Sequence, residues 1–361
     1  MTKKIKLFDP IVDFREEKII KKILKSGYWA SGSGIGNVKK FEENFSKFIN
    51  SNNGVAVNSG TAALHLALSM VNIKNKEVII PSLSFVSTAH AVIYNHGIPV
   101  FADVDPLTLN IDPESINEKI SSKTKVIVPV HFGGYPADLN KIHKIAKKNN
   151  LEVIEDAAHA SGATYEKKRI GSHSLFVCFS FHPVKNLAMP GGGLISINSK
   201  NHHELREKLD SLRWCGISNR NGVTYDIKKL GWNYYMNEFS ASIGLVQLKK
   251  LNKLNKIRQK NAMQYYKKLK AISKMPISQN SVYHFYWILV DNREKLRKKL
   301  QEEGIETGIH YQPIHKMKMY DNKIFLKNTE EISKKIITLP THPNLSNNDI
   351  DRIIKVINKF F

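Results

Sequence analysis

From Val55 to about Ile197 the chain alternates short Val- and Ile-rich runs with helical stretches, as in Val126 to Val130, then Leu139 to Asn149, then Leu151 to Ile154. That alternation implies an α/β fold, a mainly parallel sheet with helices on both faces. Open sheets of this kind carry their chemistry beyond the carboxyl ends of the strands. Two runs that read as buried strands, Leu151 to Ile154 and Leu175 to Phe179, lead into Glu155-Asp156-Ala157-Ala158-His159 and into Phe179-Ser180-Phe181-His182-Pro183-Val184-Lys185-Asn186. An acid and a lysine therefore emerge at the ends of neighbouring strands.

A lysine held among apolar neighbours loses its proton easily and forms a Schiff base with a carbonyl cofactor, for which pyridoxal phosphate is the candidate. Such a site needs a carboxylate to keep the pyridine nitrogen protonated, and Asp156 is the choice for it. Val55-Ala56-Val57 reads as a short strand, and Asn58-Ser59-Gly60-Thr61 then turns into the apolar helix Ala62 to Leu68. Gly60 allows close backbone approach, and the free amides of that helix start, helped by the Ser59 and Thr61 hydroxyls, are suited to a phosphate. After the strand Glu77 to Ile80, the segment Pro81-Ser82-Leu83-Ser84-Phe85 offers an aromatic side chain to stack on a flat ring.

These segments, together with Phe101 to Asp105, Pro129 to Gly134, Gly231 to Glu238 and His310-Tyr311, stand in an order and spacing that resembles the DegT/DnrJ/EryC1/StrS family of sugar aminotransferases over nearly the whole chain. The resemblance implies the fold of type I pyridoxal-phosphate enzymes, with a large domain around a mainly parallel sheet and a smaller C-terminal α+β domain. It implies that Lys185 is the catalytic Schiff-base lysine, that Asp156 partners the pyridine nitrogen, and that Phe85 stacks on the ring. By the same resemblance His159 lies beside the cofactor's phenolic oxygen, and Gly60, Thr61 and Ser180 are phosphate ligands. Asn233 matches a residue that reaches the phosphate from the second subunit, which implies a homodimer with shared active sites. His310, Tyr311 and His315 match segments that line the sugar pocket. The implied reaction passes an amino group from L-glutamate to a keto group, at C3 or C4, of a nucleotide-linked sugar, for amino-sugar and surface-polysaccharide biosynthesis. Lys185, once displaced, moves the proton.

Three places depart from the family pattern. Met189-Pro-Gly-Gly-Gly193 stands where many members have Thr-Gly-Glu-Gly-Gly, Asn233-Tyr234-Tyr235 where many have Asn-Tyr-Arg, and Arg213-Trp214-Cys215-Gly216 where Arg-x-His-Gly is common. Two rival classes are a cofactor-dependent sugar dehydratase, which has histidine in the lysine position, and an inactive regulatory or binding protein that keeps the fold. Lys185 with Asp156 speaks against both.

The net charge of +23 raises the question of nucleic acid. The lysines are dispersed through helical segments such as Lys141 to Lys148, Lys249 to Lys260 and Lys295 to Lys299, which reads as solvated helix faces, and no nucleic-acid-binding motif is visible. Cys178 and Cys215 form no Cys-x-x-Cys pair, and no histidine spacing suggests a metal site. No apolar run approaches a membrane span and the start lacks a secretory core, so a cytoplasmic protein is expected. A chain of 361 residues suits two domains, placed at 1–245 and 246–361. Residues 15 to 50 read as two helices around the turn Ser31 to Gly36, whose glycines mimic a nucleotide loop but follow no strand. A long helix starts near Asn237 with Phe239, Ile243, Val246, Leu254 and Ile257 on its apolar face. Beyond it come a strand Tyr283 to Val290, a helix Arg293 to Glu303, a strand Ile305 to Tyr311 and a last helix, Asn347 to Phe360, opened by the capping box Ser346 to Asp349.

Overall fold

A computed structural model describes residues 4–30, 32–270, 273–320 and 323–361; Met1 to Lys3 and Ser31 of the expected turn lie outside these residues. Seven strands form the central sheet: β1 (Asn53–Val57), β2 (Glu77–Pro81), β3 (Ile98–Ala102), β4 (Thr124–Ile127), β5 (Glu152–Asp156), β6 (Phe176–Ser180) and β7 (Gly193–Ile197). Their order is β1-β7-β6-β5-β4-β2-β3. Only β7 runs against its neighbours, Val57 facing Gly193 on one side and Ser180 facing Gly193 on the other. The remaining pairs are parallel, so the carboxyl ends of β1, β2, β5 and β6 open on one edge.

Side chains of these strands alternate between two cores, as the pleat requires. Val55, Val57, Phe176 and Cys178 pack on one face with α3 (Gly60–Ser69), α4 (Ser87–Tyr94) and α7 (His202–Arg213). Ala56, Val177 and Phe179 pack on the other with Phe41 and Phe45 of α2 (Asn37–Ile49) and Ala241 and Leu251 of α8 (Glu238–Lys268). The helix α1 (Phe14–Ser26) starts with a complete capping box from Asp13 and Glu16 and lies against α8, where Lys250 pairs with Glu16. Both helices expected between residues 15 and 50 are present. The loop between them is tied down at its end by Asn37, whose backbone N–H donates to Glu238 at 2.9 Å.

A third core gathers the C-terminal residues around a small antiparallel sheet, β8 (Ser273–Lys274), β9 (Tyr286–Leu289) and β10 (Ile336–Leu339). It is covered by α9 (Arg293–Glu302), α10 (Lys327–Lys335) and α11 (Asn347–Asn358), the last begun by the expected Ser346–Asp349 capping box. Leu83, Val104, Leu109 and Phe132 of the large sheet's loops join this core, so the small sheet sits beside the carboxyl edge of the large one. Among the described residues no helix is long and apolar enough to cross a membrane.

Two sequence expectations are corrected. Ile305 to Tyr311 is not a strand: Ile305 bridges only Ile5, and Gly308 only Thr338, after which the chain turns toward the large sheet. On α8 only Leu254 of the five expected face residues is buried, and Phe239, Ile243, Val246 and Ile257 are half-buried. The buried side of the helix is instead rich in polar groups with partners: Gln247 donates to the Ile11 carbonyl, Asn255 to that of Ser161 and Asn261 to that of Thr341. Apolar periodicity is blind to a face satisfied by hydrogen bonds.

Candidate active site

The carboxyl edge of the sheet encloses a cavity of about 350 Å³, lined from β1–α3, β2–α4, β5, β6 and the segment 310–311. It brings together Gly60, Thr61, Phe85, Asp156, His159, Ser180, Lys185, His310 and Tyr311. Two expected residues lie elsewhere. His315 is buried below the cavity, its Nδ1 2.6 Å from Ser82 Oγ and its Nε2 3.2 Å from Glu330 Oε1, and burial lowers its pKa. Asn233 is exposed and does not line the cavity, although its carbonyl accepts from Asn58 Nδ2 at 3.3 Å and Asn58 does.

Asp156 closes β5 with its side chain fully inside. One carboxylate oxygen accepts from Thr88 Oγ1 at 2.9 Å and the other from the Ala158 amide at 3.1 Å. Burial raises its pKa against the pull of those donors and of Lys185. Thr88, in the first turn of α4, also meets Ser84 Oγ at 3.0 Å. Sequence reasoning passed over Thr88; the only signal was its place three residues after Phe85, at a helix start.

Lys185 follows β6 through a turn in which its N–H donates to the His182 carbonyl at 2.8 Å. Desolvation pulls its ammonium down to about 8, opposed by the charge of Asp156. About a tenth of the amine is therefore free at pH 7, far more than for an ordinary lysine. Burial, then the charge of Lys185, keeps His159 neutral, and its Nε2 lies 3.1 Å from the Tyr311 hydroxyl. Burial also holds the Tyr311 hydroxyl protonated and lowers His310 to about 4. His159 stacks on His284 with ring centres 4.5 Å apart, and His310 on Phe285 at 4.9 Å, so the small domain forms this wall.

At the opposite wall Ser59 caps α3 by accepting the Ala62 N–H at 3.1 Å, and Thr61 Oγ1 lies 2.7 Å from Ser87 Oγ. Gly60 approaches Ser180 so closely that a Cβ there would stand 2.7 Å from the Ser180 Cβ. That cradle, at the start of a ten-residue helix, presents backbone N–H groups of the kind that hold a phosphate. The buried Nδ1 of His159 has no hydrogen-bond partner among the described residues. An unpartnered buried nitrogen, a buried carboxylate beside a lysine of lowered pKa, and a glycine-lined helix start suit one flat, phosphorylated carbonyl compound, and the exposed Phe85 ring stands at the rim.

The fold and this constellation define a pyridoxal-phosphate-dependent enzyme of fold type I. A profile of the DegT/DnrJ/EryC1/StrS aminotransferase family matches residues 10–358, and the chain belongs to that family. It is 33% identical over 377 aligned residues to an uncharacterized protein, MJ1066, of Methanocaldococcus jannaschii, with 98% of this chain and 96% of that one covered. Among solved structures, PseC of Helicobacter pylori, an aminotransferase involved in the biosynthesis of pseudoaminic acid, superimposes with a TM-score of 0.94 at 28% identity over 99% of each chain. Spr1654 of Streptococcus pneumoniae, solved in its PLP form, superimposes with a TM-score of 0.93 at 25% identity, over 99% of this chain and 98% of that one. The protein is a transaminase, and its cofactor is pyridoxal phosphate.

Proposed function

We propose that the protein transfers the amino group of L-glutamate to a keto carbon, C3 or C4, of a nucleotide-linked sugar, in cytoplasmic amino-sugar and surface-polysaccharide biosynthesis. The observation that carries the reading is the meeting of Lys185 and Asp156 in one cavity whose remaining polar groups are apportioned to a phosphate and a ring. The sugar substrate is supported by the likeness to PseC.

Bound pyridoxal phosphate supplies a carbonyl that condenses with amines and a protonated ring that takes up an electron pair. Asp156, pinned by Thr88 and Ala158, holds the proton on the ring nitrogen, and that cation in turn relieves the cost of burying the carboxylate. The amides of Gly60 and Thr61, with the Thr61 and Ser180 hydroxyls, orient the phosphate. With the cofactor bound, Phe85 would cover the ring and His159 would face its phenolic oxygen. In that state Lys185 would take the proton from the α-carbon of the donor and, in the second half, deliver a proton to the former keto carbon of the sugar, work for which a pKa of about 8 is suited. His310 and Tyr311 border the sugar, and Asn233 of the partner subunit completes the phosphate site in a homodimer. Residues 1–245 act as the cofactor domain and 246–361 as the small domain, with α8 continuous through both.

The test is the visible absorption of the purified protein with added pyridoxal phosphate, before and after L-glutamate, beside Lys185→Ala. A lysine-dependent band that bleaches with glutamate supports the reading. A spectrum identical in the variant overturns it.

A further inference from the structure

Of the residues that line the cavity only Asn58, Phe85 and His182 are exposed, and they mark its rim. Asn58 spends its side-chain amide on the Asn233 carbonyl, and Phe85 is apolar. His182 is different. Its Nδ1 accepts the Val184 N–H at 3.4 Å, which leaves the ring hydrogen on Nε2, and Nε2 has no partner among the described residues. The backbone that carries the imidazole is held in place: the His182 N–H reaches Ser180 Oγ at 3.5 Å, and its carbonyl accepts the Lys185 N–H at 2.8 Å. Burial and the charge of Lys185 lower its pKa, so the neutral donor form prevails at neutral pH.

A sugar carrying a nucleoside diphosphate is several times the size of L-glutamate, so the part of it that glutamate lacks is the part that extends across the rim of a cavity of about 350 Å³. We infer that His182, through Nε2–H, is a specificity residue that donates a hydrogen bond to an oxygen of the sugar nucleotide as it crosses the rim. The assignment rests on the nucleotide-sugar reading above and adds to it the group that tells the second substrate from the first. A donor at that point strengthens binding of the large substrate and leaves the small one untouched.

The experiment uses full-length holoenzyme and follows the two half-reactions separately by visible absorption, the first with L-glutamate and the second with a panel of UDP- and dTDP-linked 3-keto and 4-keto sugars. His182→Ala is expected to raise the half-saturating concentration of the best sugar nucleotide about tenfold, the loss of about 1.4 kcal/mol, while that of L-glutamate changes less than twofold. His182→Gln, whose side-chain nitrogen falls near the place of Nε2, is expected to recover most of the loss. An alanine variant with unchanged sugar saturation, or with both substrates weakened equally, overturns the assignment to His182 while the wild-type first half-reaction still stands. A wild-type enzyme that completes the first half-reaction and is turned over by none of the panel overturns the nucleotide-sugar reading and the assignment with it.

Discussion

Lys185 and Asp156 were legible as single residues because their side chains have few uses at the end of a buried strand: a lysine there is costly unless its charge is tuned. The tuning has a measurable sign. An ordinary lysine frees its amine only near pH 10 or above, whereas Lys185, at about 8, should capture pyridoxal phosphate at a rate that climbs through pH 8 and levels off above it, followed by stopped-flow absorbance. Thr88 was not legible, since a threonine in a helix start is common and only the fold carries it to Asp156. Replacing it by valine keeps the shape and removes one of two donors to a buried carboxylate, a loss of about 1.5–3 kcal/mol. The expected result is weaker cofactor binding in an absorbance titration and, because the bond is already made in the free protein, a lower melting temperature of the free protein as well. His315 shows the reverse: its motif suggests the substrate wall, while in the structure its partners Ser82 and Glu330 make it a tie from the loop that carries Tyr311 to the loop that carries Phe85 and to α10.

At the scale of elements, the strands β1, β2, β5, β6 and β7 were readable from their short apolar runs, and α3 from the helix that follows Gly60. The phosphate cradle depends on a contact between two of them. Gly60→Ala should weaken cofactor binding by an order of magnitude or more, because its Cβ meets that of Ser180 at 2.7 Å, and Ser180→Gly in the same chain should restore part of it; equilibrium titration of both variants checks this. The antiparallel β7 was not readable, since direction leaves no mark on a five-residue apolar run. Nor was the ion-pair network that joins α2 to α7, in which buried Glu42 binds Arg213 and Arg206 and also accepts the Ala56 N–H of β1. Glu42→Ala leaves buried Arg213 with Asp210 and the Ala56 carbonyl as partners but leaves the Ala56 N–H unpaired, and denaturant unfolding should show a loss of about 1–3 kcal/mol.

For the whole molecule the decisive question is whether Asn233 serves its own cavity or that of a second copy. If sites are shared, mixing inactive Lys185→Ala with Asn233→Ala subunits, after reversible dissociation, regenerates one intact site in every mixed dimer and returns about a quarter of wild-type turnover for random pairing. A homodimer with self-contained sites regenerates none, and sedimentation velocity reports the pairing itself. What the sequence alone determined was the local order: which runs are strands, where α11 is capped, and which lysine and which acid follow the buried strands, because periodicity, capping and side-chain chemistry act over a few residues. What only the tertiary structure decided was everything set by contacts between distant segments. Thr88 reaches Asp156 across 68 residues, Tyr311 reaches His159 across 152, and the polar groups on the buried face of α8 find partners near the two ends of the chain. Burial then lowers the Lys185 pKa to about 8, a property of the closed cavity that no stretch of the chain has on its own.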